Sequence, residues 1–358
     1  MWTKILKIDS RDPDRKKVRI AADVIREGGL VVFPTETVYG IGGDAFNATS
    51  AEMIYRVKGR PSDNPLMVHV SDMEMAESVG IFPRRYLKAV KSLWPGPIAF
   101  VVKARESVPK EVVSGLGTVA VRMPDHKVAL SLIRESGTPI AAPSANPSRL
   151  PSSTKASHAA GYFEGRVDVI IDSGPSRNGI ESTILDLGSF TVLRPGAFPV
   201  ERIADAFGRK PKVTRAARGL AGSKGATAPG MKYRHYSPKT PLFLYTGRPS
   251  GIGRAVGKAD NYAFIGSREA CGALKGARVL DLGERDDLQE IARNLFDRLI
   301  EVDELGIDFA IIESFPERGI GLGIMNRLRK ASNRRSFSTK AQLKGLISRY
   351  AKEDSRAP

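Results

Sequence analysis

Lys58-Gly59-Arg60-Pro61-Ser62-Asp63-Asn64-Pro65 sets two cations and an amide in a turn stiffened by one glycine and two prolines, just before a strand-like run carrying His69. Such a turn suits an anion, a polyphosphate among them. The plainer reading is a helix C-terminus whose cations answer the dipole; the prolines favour the anion, because a cap needs no such rigidity. Ala141-Ala142-Pro143-Ser144-Ala145-Asn146-Pro147-Ser148 ends a buried-strand run in small hydroxyl and amide residues. Strand ends of this kind often carry ligand groups in α/β proteins, and an ordinary Ser/Asn turn is an equal alternative. Phe33–Gly40 is a polar loop containing Thr35, directly after another buried run. Arg122 ends a third, within Gly117–Pro124. An Arg there wants a carboxylate or phosphate, and an internal acid would serve as well as a ligand. Gly179–Ile184, with Glu181 and Ser182, and Arg194-Pro195-Gly196 complete the set.

Other chemistries lack their residues. There is no G-x-x-x-x-G-K-[ST] and no G-x-G-x-x-G after a strand, so neither standard nucleotide fingerprint is present. The four histidines, His69, His126, His158 and His235, include no H-x-x-x-H pair, which disfavours a zinc hydrolase; no G-x-S-x-G elbow occurs. The single cysteine, Cys271, allows no intrachain disulfide and no Cys-based zinc site.

The elements that must hold these residues alternate. Strand-like runs cover Thr3–Ile8, Leu30–Phe33, Met67–Val70, Ile98–Lys103, Val119–Arg122, Ile140–Ala142, Val167–Asp172, Thr183–Asp186 and Thr191–Leu193. Helical spacing covers Arg15–Glu27 behind the cap Asp14, a stretch from the cap Ser50 to Lys58, Pro83–Leu93, Val128–Ser136 and Glu201–Phe207. Close strand pairs at 98–122 and 167–193 predict an α/β domain with a mixed sheet over 1–207. Residues 208–240 show no apolar period and predict a basic linker. Beyond it, strands at Leu242–Tyr245, Tyr262–Ile265, Arg278–Asp281 and Phe309–Glu313 alternate with helices at Asp287–Glu304, Gly321–Ala331 and Thr339–Tyr350. That pattern predicts a small doubly wound parallel sheet over 241–358.

With 358 residues, 41% apolar and 27% charged, the chain can bury two cores, and wholesale disorder is excluded. No apolar run approaches the ~18 residues of a membrane span, and the N-terminus turns charged by Asp9, unlike a signal peptide. A cytoplasmic protein with no membrane contact is expected. The net charge of +17 lies in two places: residues 208–240 hold nine Lys or Arg and no acid, and residues 326–358 hold ten against Glu353 and Asp354. Basic segments attract phosphates, although a solvated linker and tail would look the same.

Taken together, Phe33–Gly40, Lys58–Pro65, Pro143–Asn146, Glu181–Thr183 and Leu193–Gly196 resemble the YrdC-type threonylcarbamoyl-AMP synthases. Lys58, Arg60, Ser144 and Asn146 match that family's K-x-R…S-x-N signature. Met231–Pro238 resembles the linker, and Gly323–Ser332 the C-terminal domain, of the long two-domain form. The resemblance implies that L-threonine, bicarbonate and ATP become threonylcarbamoyl-AMP and pyrophosphate with Mg2+, the first step of a tRNA modification completed by a separate threonylcarbamoyl transferase. It further implies that Lys58, Arg60, Ser144 and Asn146 hold the triphosphate and its magnesium. Asn64, Thr118, Ser152, Arg194 and Tyr236 would surround ATP, and Thr35, His69, Arg122, Ala142 and Ser182 would surround threonine, with Arg122 on the carboxylate. Independently of the resemblance, Lys232-Tyr233-Arg234-His235-Tyr236 sets rigid, half-apolar rings among the linker's cations, so the linker is expected to fold over the mouth of the pocket through Arg234, His235 and Tyr236; a disordered basic tether is the plainer alternative.

One departure touches this assignment. The family loop usually has Gly where Arg149 stands, so a positive φ there becomes costly, and the shape of the loop reaching Ser152 is affected. The alternative reading is an RNA-binding module of the same fold without synthase activity, which the basic segments would suit. A carbamoyl-transfer domain of the hydrogenase-maturation type is a further rival, but its acylphosphatase and zinc-finger segments are not visible. A pure scaffold is disfavoured by so many polar strand ends.

Overall fold

The computed structural model describes residues 2–221, 235–256, 260–274 and 277–354. Among them, short apolar runs bounded by turns build one twelve-stranded sheet, in the order Lys4–Lys7, Val169–Asp172, Val31–Phe33, Gly40–Asp44, Ile140–Ala141, Met67–His69, Thr118–Arg122, Ile98–Ala104, Thr183–Asp186, Thr191–Arg194 and Lys212–Val213, with Gly80–Ile81 pairing off the Ile98–Ala104 strand. Parallel and antiparallel neighbours alternate irregularly, which is the mixed sheet expected. A second sheet of five strands, Arg278–Asp281, Tyr262–Gly266, Phe309–Glu313, Leu242–Tyr245 and Ser336–Phe337, is parallel throughout.

Local chemistry sets the boundaries. Asp14 accepts from the backbone N–H groups of Lys16 and Lys17 and starts the helix Arg15–Arg26. The helix Ala48–Lys58 is capped by Asn47, not by the expected Ser50. Ser50 is buried and donates to Gly28 O at 2.9 Å. Gly59, at φ 58°, ends that helix in the left-handed region and turns the chain sharply between Lys58 and Arg60.

The strand Gly40–Asp44 escapes a sequence reading because Gly-Ile-Gly-Gly-Asp lacks strand propensity. Its glycines are demanded by packing: a Cβ on Gly42 would come within 2.5 Å of the Ile140 side chain. The helices Met73–Val79 and Ala156–Phe163 are likewise unannounced.

The segment expected as a linker is not featureless in its described parts. Lys212–Val213 adds an edge strand to the first sheet, and Ala217 is buried. At the other end His235, Tyr236 and Ser237 are buried; Arg234 lies outside the described residues. The two sheets are docked: Val38, Ile180 and Ala197 from the first join Ile291, Phe296, Ile324 and Leu328 of the second in one apolar cluster, with Tyr236 among them.

Candidate active site

The polar junctions of the first sheet meet in one cleft. The C-terminal ends of the strands Met67–His69, Thr118–Arg122 and Thr191–Arg194, the loops leaving Val31–Phe33 and Ile140–Ala141, and the turn entering Thr183–Asp186 bring Thr35, Thr37, His69, Arg122, Ala142, Ser144, Asn146, Glu181, Ser182 and Arg194 to its walls. Lys58 and Arg60 enter from either side of the Gly59 turn, and His235 and Tyr236 line it from the segment between the sheets. Twelve predicted residues therefore share one cavity, and Thr37 and Glu181 join them. Asn64, Thr118 and Ser152 do not line it. Thr118 begins its strand in solvent, paired with Lys103. The Ser152 hydroxyl donates to Glu181 Oε1 at 2.5 Å, behind the wall. Asn64 is fully buried with both side-chain polar atoms unpartnered among the described residues, its carbonyl accepting from Arg60 Nε at 3.0 Å.

The two turns are bonded together. Lys58 Nζ donates to the carbonyls of Ser144 and Asn146, tying the K-x-R turn to the S-x-N turn. Ser144 Oγ donates to Asn146 Oδ1 at 2.5 Å, and Asn146 Nδ2 donates to Pro147 O and Leu150 O. Arg60 Nη2 donates to Pro65 O at 2.9 Å. Burial, and then the neighbouring Arg60, holds Lys58 well below its ordinary pKa; burial pushes the Arg60 guanidinium down to about 10. Two cations crowded together, Lys58 out of water and Arg60 half-buried, favour an anion between or beside them.

On the opposite wall Arg122 is engaged on three sides. Its Nη1 donates to Thr37 Oγ1 at 2.8 Å, its Nε reaches Gly96 O at 3.4 Å, and its Nη2 lies 2.5 Å from Glu36 Oε2 without hydrogen-bond alignment. Both readings of Arg122 thus meet in one residue: it lines the cleft and has an internal acid. Glu36 is a residue the sequence reading passed over, although a lone acid between Thr35 and Thr37 after a buried strand is a visible signal. Thr35 Oγ1 donates to Val38 O at 2.6 Å and shapes the loop. His69, beside Arg122 in register, packs edge-on to Phe33, and burial followed by Arg122 lowers its pKa to about 3, so its ring is neutral.

Arg194 Nε and Nη2 both donate to Ser182 O. Glu181 is held ionised: burial pushes it up, but Arg327, Arg194 and Ser152 outweigh that and leave it below the usual range. Arg327 comes from the second sheet's helix Gly321–Ala331, and its Nε donates to Glu181 Oε2 at 2.8 Å. The sequence signal was a cation on an otherwise apolar helix face. Among the described residues no group of three His, Cys, Asp or Glu is arranged to hold a metal ion. The arrangement can hold a highly charged anion at Lys58 and Arg60 and a small zwitterion toward Thr35, His69 and Arg122.

Comparison with known proteins agrees in order and extent. A family model described as "Telomere recombination" matches residues 23–196, and one described as "Threonylcarbamoyl-AMP synthase, C-terminal domain" matches residues 198–333. The threonylcarbamoyl-AMP synthase of Pyrococcus abyssi is 43% identical, over 89% of this chain and 95% of its own. That of Bacillus subtilis is 41% identical, over 92% and 95%, and that of Schizosaccharomyces pombe 35%, over 89% of each. The crystal structure of P. abyssi Sua5 complexed with L-threonine superposes with a TM-score of 0.88 at 41% identity, covering 94% of this chain and all of that one.

Proposed function

The chain belongs to the threonylcarbamoyl-AMP synthases in their two-domain form, and from that premise we propose how its cleft forms threonylcarbamoyl-AMP and pyrophosphate from L-threonine, bicarbonate and ATP. The observation that carries the assignment is the convergence of buried Lys58, Arg122 and Arg194 and half-buried Arg60 on one cavity walled by hydroxyl and amide groups. Threonine lies toward Thr35, His69, Arg122, Ala142 and Ser182, its carboxylate on Arg122. ATP lies toward Lys58, Arg60, Ser144, Asn146, Arg194 and Tyr236, with the unpartnered amide of Asn64 beneath it and Ser152 acting through Glu181.

The threonine amine takes up bicarbonate carbon to give a carbamate, with loss of water. A carbamate oxygen then attacks the α-phosphorus, the α–β bridging P–O bond breaks, and its electron pair leaves on pyrophosphate. The chain contributes proximity and fixed positive charge. Lys58 and Arg60 absorb charge on the leaving group, and Arg122 fixes the nucleophile. No side chain is assigned as a dedicated base.

Magnesium fits this donor set as a companion of the triphosphate: the K-x-R turn is cationic, and the S-x-N turn offers the neutral oxygens of Ser144 and Asn146, which suits an ion that keeps its phosphate and water ligands. When bound it would supply charge neutralisation on the phosphates. A cytoplasmic location is part of this reading; separately, no helix among the described residues is long and apolar enough to cross a membrane. The product's consumer would be a tRNA threonylcarbamoyl transferase, and a weak RNA contact would fall to the basic segments. An RNA-binding module without synthase activity is not favoured, because the synthase relatives match nearly the whole chain. The test is pyrophosphate release with labelled threonine, bicarbonate and ATP. Threonine-dependent release is expected; RNA binding without it would reverse the assignment.

A further inference from the structure

The helix Gly321–Ala331 carries Gly323 and Arg327 on one face, four residues apart. At Gly323 the helix backbone meets the first sheet's Pro195-Gly196 turn so closely that a Cβ would sit 2.7 Å from Gly196 O. This approach delivers Arg327 into the wall of the cleft. The side chain is 0% exposed. Its Nε donates to Glu181 Oε2 at 2.8 Å, its Nη1 donates to Pro195 O, and its guanidinium lies 5.3 Å from the ring centre of Tyr236. Glu181 in turn accepts from Ser152, and Tyr236 stacks on Phe296 of the second sheet's own core.

The same helix holds both described ends of the segment between the sheets. Asn326 Nδ2 donates to Ala217 O at 2.6 Å and Arg329 Nη1 to Arg218 O at 2.9 Å; on the other side Ser237 Oγ donates to Ala331 O at 3.0 Å. Arg327 does not itself line the cleft but grips residues that do, Glu181 and Tyr236, and a cation with no exposed surface is costly unless its contacts are needed.

We propose that Arg327 is a positioning residue for the synthase reaction: from the second domain it fixes the Glu181 wall, the Pro195 carbonyl beside Arg194, and the Tyr236 ring in one geometry. The second domain is then part of the active-site scaffold whatever else it binds. The planar fork is required, since a Lys ammonium cannot serve an acid, a carbonyl and a ring face at once.

The inference rests on the synthase reading, so the test has one readout that depends on it and one that does not. In the full-length protein, Arg327→Met, Arg327→Lys, Glu181→Gln and the Arg327→Met/Glu181→Gln double variant are compared with the parent. Amide hydrogen exchange at Glu181–Ser182 and at Tyr236–Ser237 should speed up at least tenfold in Arg327→Met, with the strands Val31–Phe33 and Leu242–Tyr245 unchanged. Threonine-dependent pyrophosphate release should fall at least tenfold in kcat/KM in both Arg327 variants, with no rescue by Lys, and the double variant should lose no more than the worse single one. Unchanged exchange, rescue by Lys, or additive losses overturns the proposal. If both Arg327 variants fail to fold, Glu181→Gln decides: local exchange and kcat/KM within twofold of the parent overturn it, and tenfold changes sustain it. A parent that releases no pyrophosphate defeats the synthase reading alone, and the exchange data still judge the positioning role.

Discussion

At the scale of single residues, the cleft works by keeping charge where water cannot screen it. Arg122 lies against Glu36 and Thr37, so its fork is aimed before any ligand arrives. Arg122→Lys should raise the threonine KM at least tenfold with ATP affinity within about twofold, because the fork is lost and the charge kept. Glu36→Gln should do the same more weakly. Calorimetric titrations with each substrate check this, and an ATP defect equal to the threonine defect would move Arg122 to the nucleotide side. The buried histidines give a second expectation. His69 titrates near 3 in the folded chain, and burial lowers His126 and His235 as well. In the unfolded chain a histidine titrates near 6.5. Between those values the unfolded state binds more protons, so stability is lost as pH falls below about 6.5, by up to about 1.4 kcal/mol per pH unit per histidine. Urea midpoints at about pH 7.5 and about pH 5 should separate, and His69→Gln should narrow the gap; an unchanged gap would mean His69 is not held neutral. The cations and the S-x-N turn were legible in the sequence because their residue types are unusual at strand ends. Glu36 was not read, because its meaning depends on Arg122, which is 86 positions away in sequence and adjacent only after folding.

At the scale of elements, strands with β-branched runs declared themselves, and those built from glycine did not. In the strand Gly40–Asp44, Gly40 and Gly42 face Phe33, Ile140 and Ala142, which leave little or no room for a Cβ, so packing places glycine where strand propensity would not. The loop after Asn146 was legible for the opposite reason. Arg149 was expected to be strained, and it adopts φ 79°, with its carbonyl accepting from Ser237 N at 2.9 Å. That bond anchors the segment that brings His235 and Tyr236 into the lining of the cleft. Arg149→Gly should therefore leave the melting temperature unchanged or raise it, since the left-handed cost is relieved. Arg149→Val should cost about 1–3 kcal/mol, since a β-branched residue fits that region worst, and it should raise the ATP KM. Thermal melts and initial rates on the pair decide this. Equal tolerance of Gly and Val would mean that the loop relaxes freely.

At the scale of the molecule, the basic surplus reads differently from its first appearance. Arg218 and Arg329 both pair with Glu317, Arg327 pairs with Glu181, and Lys155 reaches Asp297 across the domain boundary at 2.7 Å. Part of the charge expected for a solvated linker and tail thus joins one domain to the other. The interface also has an apolar centre shared by Val38, Ile180, Ala197 and Tyr236 with the second sheet's helices. It has two backbone approaches that only glycine permits: a Cβ on Gly179 would come within 2.3 Å of Ala292 O, and one on Gly323 within 2.7 Å of Gly196 O. Shared core and close backbone contact predict that the two domains unfold as one cooperative unit. Gly323→Val tests this, because its side chain must push Gly196 away and there is no flexible side chain to yield. The expected result is a single calorimetric transition in the parent, and in the variant a loss of about 1–3 kcal/mol with separation into two transitions. Threonine-dependent pyrophosphate release should fall in the same variant, since the displaced turn carries Arg194 at its start. A Gly323→Val protein that melts in one transition at the parental temperature would show that the domains touch without stabilising each other.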